Sequence, residues 1–388
     1  MPAMNILMIS DVYFPRINGV STSIETFRSE LTQLGVSSCL VAPTYPQGPE
    51  PGHQDVVSIP SRFLPLDPED RMMRRSAIRD WIRGQTQKFD LVHIHTPFVA
   101  HYAGLDIARE LGVPVTASYH TYFEEYLHHY VPFLPRRTLR AVARRFSRQQ
   151  CNDLDAVIVP SKAMAETLLE YGVTRPMHIL PTGLREERFA CGDGEAFRQR
   201  HGIPPERPLL LFVGRVAFEK NIEFLLDVVA RVRSQCPDVL FLITGEGPAL
   251  AGLRKHVESM GLGDNVRFLG YLDRRQALSD CYQAADLFIF ASRTETQGLV
   301  LLEAMALGCP VQALAIMGTR DILENTPGAV IAQDDPAAFA AQTLELLQDR
   351  AGLRQLGEAA RESARRWSAR EMAQRLSLIY EGMLTAGH

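Results

Sequence analysis

Two glutamates, Glu295 and Glu303, lie eight positions apart on either side of a glycine, in the segment TETQGLVLLE of residues 294–303. A carboxylate accepts hydrogen bonds from paired hydroxyl groups, so Glu303 suits a ribose and Glu295 suits a second sugar. The alternative is structural, with one carboxylate capping a helix and the other lying on a solvated helix face.

The element that positions these glutamates is predicted to be a strand followed by a helix. The apolar run of residues 284–291 is typical of a buried strand, and Gly298 opens a helical pattern that ends at Gly308-Cys-Pro310. The first N–H groups of such a helix, at Gly298, Leu299 and Val300, attract phosphate because they lack partners within the helix.

Two cations follow another predicted strand, residues 209–213. Arg215 comes directly after it, and Lys220 comes five residues later. Together they can neutralise a diphosphate. The alternative is a surface arginine paired with Glu219.

In the first half of the chain, Gly19 and His120 each follow a predicted strand. Gly19 carries no side chain, so its backbone can approach a ligand closely. His120 can donate to a sugar hydroxyl or stabilise developing charge, although a lone histidine is more often structural. His93 and His95 are expected to be structural, because no third ligand accompanies them for a zinc ion.

Short apolar strands alternate with helical patterns in two successive sets, which predicts two doubly wound α/β domains with parallel sheets. Residues 1–183 form the first domain and residues 209–367 the second, with residues 184–208 as the linker between them. The length of 388 residues agrees with two cores. The six cysteines show no Cys-x-x-Cys spacing, and no export signal or membrane span is recognisable, so a cytoplasmic location is expected.

The segment TETQGLVLLEAMALGCPV, together with four further motifs, resembles the retaining glycosyltransferases of family 4. The four motifs are Asn18-Gly19-Val20, Ser118-Tyr-His-Thr121, Val213-Gly-Arg215 with Lys220-Asn221, and Gly245-Glu-Gly-Pro248. The resemblance covers nearly the whole chain and is greatest to bacterial enzymes that glycosylate lipids, such as diacylglycerol glucosyltransferases and phosphatidylinositol mannosyltransferases. It implies a GT-B fold, in which two Rossmann-like domains face a central cleft.

The resemblance also implies roles for the residues above. Its first domain binds the acceptor and its second binds a nucleotide sugar, while the C-terminal helix, residues 368–388, packs back on the first domain. The nucleotide sugar is a substrate, and no cofactor or metal ion is expected. Retention implies a same-face displacement in which the leaving phosphate takes the acceptor proton. The catalytic residues would be His120 and Glu295, and the donor would be bound by Gly19, Arg215, Lys220, Gly298, Leu299, Val300 and Glu303.

A basic amphipathic helix predicted over residues 135–148 bears on the acceptor. Leu139, Val142, Ala143 and Phe146 form one face, and the arginines on the remainder are Arg136, Arg137, Arg140, Arg144, Arg145 and Arg148. Such a helix suits an anionic membrane surface, although the apolar face can instead pack inward. Tyr126 begins an aromatic segment, residues 126–134, that suits a lipid entrance, so we expect a peripheral protein on the inner face of the cell membrane. The formal net charge of -4 argues against nucleic acid as a partner.

The sequence therefore favours an enzyme that moves a hexose from a nucleotide diphosphate sugar, preferably a UDP-sugar, to a lipid hydroxyl such as that of diacylglycerol. A GDP-mannose-dependent mannosyltransferase acting on a phosphatidylinositol-type lipid or a soluble glycan is the alternative. A nucleotide-sugar 2-epimerase also pairs two α/β domains but needs no acceptor. A periplasmic sugar-binding protein would need a secretion signal.

Overall fold

A computed structural model describes residues 4–16, 18–46, 55–64, 67–120, 122, 136–185, 187, 192–273, 276–324 and 326–386. The chain forms two compact units. The first consists of Met1–Gly183 and Ala369–His388, and the second of Leu184–Ser368. Each unit contains a parallel sheet with helices, which confirms the predicted α/β class of two Rossmann-like domains.

The first unit is built on a seven-stranded parallel sheet with the order β3-β2-β1-β6-β7-β8-β9. Its central strands are apolar because both faces of the sheet are covered. A separate antiparallel hairpin consists of β4 and β5. The strands are β1 (Asn5–Ile9), β2 (Ser37–Pro43), β3 (Val56–Ile59), β4 (Ser61–Leu64), β5 (Asp67–Met73), β6 (Leu91–Ile94), β7 (Val115–Ser118), β8 (Ala156–Val159) and β9 (Met177–Ile179).

Among the described residues, five helices of the first unit precede the second unit in the chain. They are α1 (Gly19–Gln33), α2 (Arg75–Arg83), α3 (Val99–Leu111), α4 (Arg136–Asn152) and α5 (Lys162–Glu170). The C-terminal helix, Ala369–Ala386, returns to this unit and packs against α1. Its buried residues Met372, Leu376 and Tyr380 join the core that contains Ile24 and Phe27.

The second unit is built on a six-stranded parallel sheet with the order β12-β11-β10-β13-β14-β15. The strands are β10 (Leu209–Val213), β11 (Leu240–Thr244), β12 (Val266–Gly270), β13 (Leu287–Phe290), β14 (Val311–Leu314) and β15 (Ala329–Ala332). The helices are α6 (Gly194–Arg200), α7 (Ile222–Arg233), α8 (Leu250–Ser259), α9 (Ala277–Ala284), α10 (Leu299–Ala306), α11 (Gly318–Leu323), α12 (Pro336–Gln348) and α13 (Arg350–Ala364), with 3₁₀ turns at Phe218–Lys220 and Arg365–Trp367.

The stretch 184–208, which we expected to be a linker, contains helix α6 and belongs to the second unit. Its polar composition has a structural use. Arg198 is buried and donates to the Ala284 carbonyl, 2.9 Å away, and to Asp286 Oδ2, 3.0 Å away. The N–H of Asp193 donates to Asp280 Oδ1, 2.8 Å away. These polar contacts bind the segment to the second unit.

The antiparallel hairpin of β4 and β5 and the edge strand β3 were not predicted. The hairpin sequence carries prolines and charges among few apolar residues, so its alternation is weak. No helix in the described part of the chain is both long enough and apolar enough to span a membrane.

Candidate functional site

In the second unit, Lys220 and Glu295 form an ion pair between Nζ and Oε1. The two residues are 75 positions apart and were predicted separately as a phosphate ligand and a sugar ligand. Their side chains retain 20% and 16% exposure, so the pair is accessible to a ligand and yet partly shielded from water. A cation and a carboxylate in contact can serve a phosphate and the adjoining sugar of one donor molecule.

Two hydrogen bonds hold the segments that carry this pair. Asn221 adopts a left-handed conformation, with φ of 55°, and its side-chain amide donates to the Ala291 carbonyl, 3.1 Å away. Ser292 Oγ donates to the Glu219 carbonyl, 3.3 Å away. Asparagine tolerates this backbone region better than most residues. The turn at Phe218–Lys220 is therefore fixed to the end of β13.

Gly298 lies at the N-cap of α10, as predicted, and its φ of 94° favours glycine. Leu299 and Val300 form the first turn of the helix and are partly exposed. The loop before Gly298 is held by the segment that follows β14, because the N–H of Gly318 donates to the Glu295 carbonyl, 2.8 Å away. A Cβ at Gly318 would lie 2.0 Å from the Thr296 carbonyl oxygen, so the two segments touch through backbone alone.

Arg215 lies in the loop that follows β10, where it is partly exposed. That loop interlocks with the predicted Gly245-Glu-Gly-Pro248 turn. Gly245 has φ of 122°, and a Cβ there would lie 2.0 Å from the Gly214 carbonyl oxygen. The N–H of Val216 donates to the Glu246 carbonyl, 2.9 Å away. The glycines therefore permit the close contact of backbones that sets the position of Arg215.

Glu303 lies on α10 and is 5% exposed, so it is not the solvated helix residue of the structural alternative. Tyr282 Oη donates to its Oε2, 3.2 Å away. A buried carboxylate needs such donors to offset its desolvation.

In the first unit, Gly19 is the first residue of α1, whose N-cap is Asn18. Asn18 Oδ1 accepts from the N–H of Ser21, 2.9 Å away, and Ser21 Oγ accepts from the N–H of Asn18, 3.0 Å away. Gly19 is exposed, and a Cβ there would meet no atom of the described residues within 4 Å. The capping box gives Asn18 a structural role at the start of α1. The space beside the backbone of Gly19 could admit a ligand.

Asp11 is buried at the carboxyl end of β1, and the sequence reasoning did not single it out. Its Oδ2 accepts from Thr96 Oγ1, 2.8 Å away, and from the N–H of Ala100, 3.1 Å away. Burial raises its pKa to about 6, although these hydrogen bonds act in the opposite direction. Asp11 ties the loop before Gly19 to the first turn of α3.

His120 follows β7 and lies beside two other histidines. Its ring stacks on that of His95, with centroids 6.0 Å apart, and His95 lies 4.1 Å from the ring of His93. His93 Nδ1 contacts Tyr380 Oη at 2.6 Å, and its Nε2 contacts Ser118 Oγ at 2.8 Å. His93 is thus structural, as predicted, and links the C-terminal helix to the strand that precedes His120.

The three histidines are neutral at pH 7, because burial lowers the pKa of His93 to about 3 and of His120 to about 4, and lowers the pKa of His95 as well. A ligand at His120 would therefore meet a neutral imidazole, which donates a hydrogen bond from one ring nitrogen and accepts one at the other.

These depressed pKa values predict that the folded protein loses stability as the pH falls below 6.5. The unfolded chain then binds protons that the folded histidines do not bind. Each histidine therefore lowers the free energy of unfolding by about 1.4 kcal/mol per pH unit. Asp11 acts in the opposite sense, because its raised pKa costs stability that grows as the pH rises from about 3.8 to about 6 and is complete above 6. We expect the midpoint temperature of thermal unfolding to decrease as the pH is lowered from 6.5 to 4.5. His95→Phe should make that decrease shallower, because it removes one of the three histidines. It breaks no known hydrogen bond, since neither His95 ring nitrogen has a hydrogen-bond partner among the described residues. An equally steep fall in the variant would contradict the assignment.

Helix α4 carries the predicted basic face. Arg137, Arg140, Arg144 and Arg145 are exposed on it, whereas Tyr126 and the side chain of Arg136 lie outside the described residues. The guanidinium of Arg144 lies over the ring of Tyr171, 5.3 Å from its centroid. The basic surface therefore exists, and Arg144 on it is engaged within the unit.

The packed face of α4 differs from the prediction at Val142, which is 55% exposed. Leu139 and Ala143 are buried as expected, and they share their face with Ser147 and Gln150. Ser147 Oγ contacts Tyr119 Oη at 2.7 Å, and Gln150 Nε2 donates to the Pro97 carbonyl, 2.6 Å away. These polar residues turn the packed face away from Val142.

Sequence reasoning missed the residues that hold the site, namely Asn221, Ser292, Gly318 and Tyr282. Asn221 alone had a signal, since it follows Lys220 in a quoted motif. The others act through partners that are distant in sequence.

Comparison with known proteins identifies the family of the chain and agrees with its fold. Residues 17–188 match the model of Glycosyltransferase Family 4, and residues 193–363 match that of Glycosyl transferases group 1. The chain is 31% identical over 315 residues to an alpha-monoglucosyldiacylglycerol synthase of Streptococcus pneumoniae, a match that covers 80% of this chain and 71% of the relative. It is 29% identical over 335 residues to a GDP-mannose-dependent alpha-mannosyltransferase of Mycobacterium tuberculosis, covering 83% and 82%.

Among solved structures, sucrose-phosphate synthase from Thermosynechococcus elongatus is similar in fold, with a TM-score of 0.80 and 20% identity over 99% of this chain and 100% of that one. The two matched models together cover most of both units. The chain therefore belongs to the glycosyltransferases of the family 4 and group 1 type, and it is a hexosyltransferase.

Proposed function

We propose that this glycosyltransferase moves a hexose, with glucose preferred, from a UDP-sugar to the hydroxyl of a membrane lipid such as diacylglycerol, with retention of configuration and without a metal ion. The observation that carries the proposal is the contact of Lys220 with Glu295 beside the first turn of α10. A phosphate ligand, a sugar ligand and unpaired helix N–H groups there adjoin one another, as a nucleotide diphosphate sugar requires.

In the proposed reaction, the bond between the sugar C1 and the β-phosphate oxygen breaks while C1 bonds to the acceptor oxygen on the same face. The acceptor proton passes to the departing phosphate oxygen, and UDP leaves. Arg215 and Lys220 neutralise the charge that grows on the diphosphate, which is the role that a metal ion fills in other transferases. Glu295 orients the sugar, Glu303 binds the ribose, and neutral His120 bonds to a sugar hydroxyl.

Two observations favour a lipid acceptor. A relative over most of the chain is named an alpha-monoglucosyldiacylglycerol synthase. The exposed face of α4 carries arginines without an acidic residue in the helix, which is a charge pattern suited to anionic lipids. The second candidate is a mannosyltransferase that acts on a lipid or a soluble glycan. The GDP-mannose-dependent relative supports it.

The test is nucleotide release from UDP-glucose, UDP-galactose, GDP-mannose and ADP-glucose, with and without diacylglycerol in anionic vesicles, in the presence of EDTA. We expect release from UDP-glucose that depends on diacylglycerol. Release from GDP-mannose alone would support the second candidate, and release indifferent to lipid would contradict the lipid acceptor. Conversion of the sugar without any release would favour the epimerase, and abolition of release by EDTA would contradict metal independence.

The basic face of α4 can be tested separately. Replacing Arg137, Arg140 and Arg145 together by glutamine removes about 3 kcal/mol of attraction to an anionic surface, so binding to phosphatidylglycerol vesicles should weaken about 100-fold. The matched control replaces Arg350, Arg354 and Arg365, which are exposed in the second unit, and should bind vesicles like the unaltered protein. Equal weakening in both triple variants would indicate a non-specific effect of net charge.

A further inference from the structure

Tyr282 contacts Glu303, the residue proposed to bind the ribose, in the interior of the second unit. It lies on α9 and is 1% exposed. Its ring packs 5.9 Å from that of Phe288 in β13, which fixes the direction of the phenol group. Tyr282 Oη donates to Glu303 Oε2, 3.2 Å away, and also lies 3.4 Å from the Val300 carbonyl oxygen.

This arrangement places one hydroxyl against two parts of α10. Val300 belongs to the first turn, whose N–H groups are proposed to receive phosphate, and Glu303 follows one turn later. A carboxylate has about four lone-pair positions, so the phenol can occupy one while ribose hydroxyls use others. A hydrogen bond from a rigid, buried donor holds the carboxylate in a single rotamer before the ligand arrives.

We propose that Tyr282 is a positioning residue for the nucleoside part of the donor. It acts through Glu303 and sets the affinity for the ribose rather than the rate of sugar transfer. The proposal rests on the proposed role of Glu303 as the ribose ligand, and it adds a residue that the family motifs quoted above do not contain.

The test compares a nucleoside diphosphate with its 2′,3′-dideoxy analogue by calorimetric titration of the full chain. The probe is whichever of UDP and GDP the unaltered protein binds more tightly, so that the identity of the base does not affect the outcome. Tyr282→Phe keeps the ring and removes only the hydroxyl. We expect the Kd of the ribonucleotide to rise about fivefold, the Kd of the dideoxy analogue to change less than about twofold, and kcat at saturating donor to stay within about twofold.

Glu303→Gln provides the reference, because it should abolish most of the preference for the ribonucleotide over the dideoxy analogue. Full preference in Glu303→Gln would remove the ribose role of Glu303, and with it the proposal for Tyr282. Normal behaviour of Glu303→Gln, combined with equal loss of both ligands or no loss in Tyr282→Phe, would overturn the proposal for Tyr282 alone. The ratio of the two Kd values is measured within one protein sample, so partial unfolding of a variant cancels.

Discussion

Replacing Glu295 by glutamine is expected to lower kcat about 100- to 1,000-fold and, at the same time, to tighten the binding of UDP about fivefold. The first effect follows from its proposed role as the ligand that orients the donor sugar. The second follows from the ion pair with Lys220. In the absence of donor, Lys220 is neutralised by Glu295, and a diphosphate must compete for it. Glutamine removes that competitor, and a partly shielded pair of this kind is worth about 1 kcal/mol.

Steady-state turnover with UDP-glucose and calorimetric titration with UDP measure the two effects. Asp334→Asn is the matched control. It breaks the exposed ion pair between Asp334 and Arg293, which are 2.6 Å apart, and Arg293 is close to Glu295 in the sequence. That control should leave both quantities within about twofold. Weaker UDP binding by Glu295→Gln would show that the carboxylate assists the diphosphate instead of competing with it. Unchanged turnover would remove the proposed sugar contact.

Replacing Gly318 by alanine is expected to be nearly as damaging to activity, although Gly318 has no proposed contact with a ligand. The added Cβ would lie 2.0 Å from the Thr296 carbonyl oxygen, so the loop that carries Glu295 must move. Overpacking of this kind costs about 1–3 kcal/mol of unfolding free energy. A displacement of about 1 Å at Glu295 should also lower kcat/KM about 100-fold.

Gly252→Ala is the matched control, because Gly252 also lies in a helix of the second unit and a Cβ there meets no atom of the described part of the chain within 4 Å. It should stabilise the protein by about 0.5–1 kcal/mol and leave kcat/KM unchanged. Urea unfolding and kinetics of both variants check the prediction. A stable and fully active Gly318→Ala would contradict the close backbone contact.

The parallel strands were the most predictable part of the fold. β10, β11 and β13 are fully buried, so they appear as short apolar runs between helical patterns. The hairpin of β4 and β5 has no such run, and α6 was mistaken for a linker because its stabilising contacts are made by charged side chains.

Ligand residues could be proposed from the sequence because phosphate and sugar binding limits the choice of residue at strand ends. Gly298 and Lys220 stand where such chemistry needs a positive φ or a cation. The residues that hold those ligands could not be predicted from local pattern. Tyr282 lies 21 positions from its carboxylate partner, and the packed face of α4 depends on Ser147 and Gln150, whose partners are far away in the sequence.

The central claim is retaining transfer of a hexose to a lipid hydroxyl, and the configuration of the isolated product tests it most directly. The protein would be incubated with UDP-glucose labelled at C1 with ¹³C, diacylglycerol in anionic vesicles and EDTA, and the extracted lipid would be examined by NMR. We predict an α-glucosyl diacylglycerol as the labelled lipid. A β-glucosyl lipid would contradict retention, and label confined to free glucose or unreacted UDP-glucose would contradict transfer to the lipid.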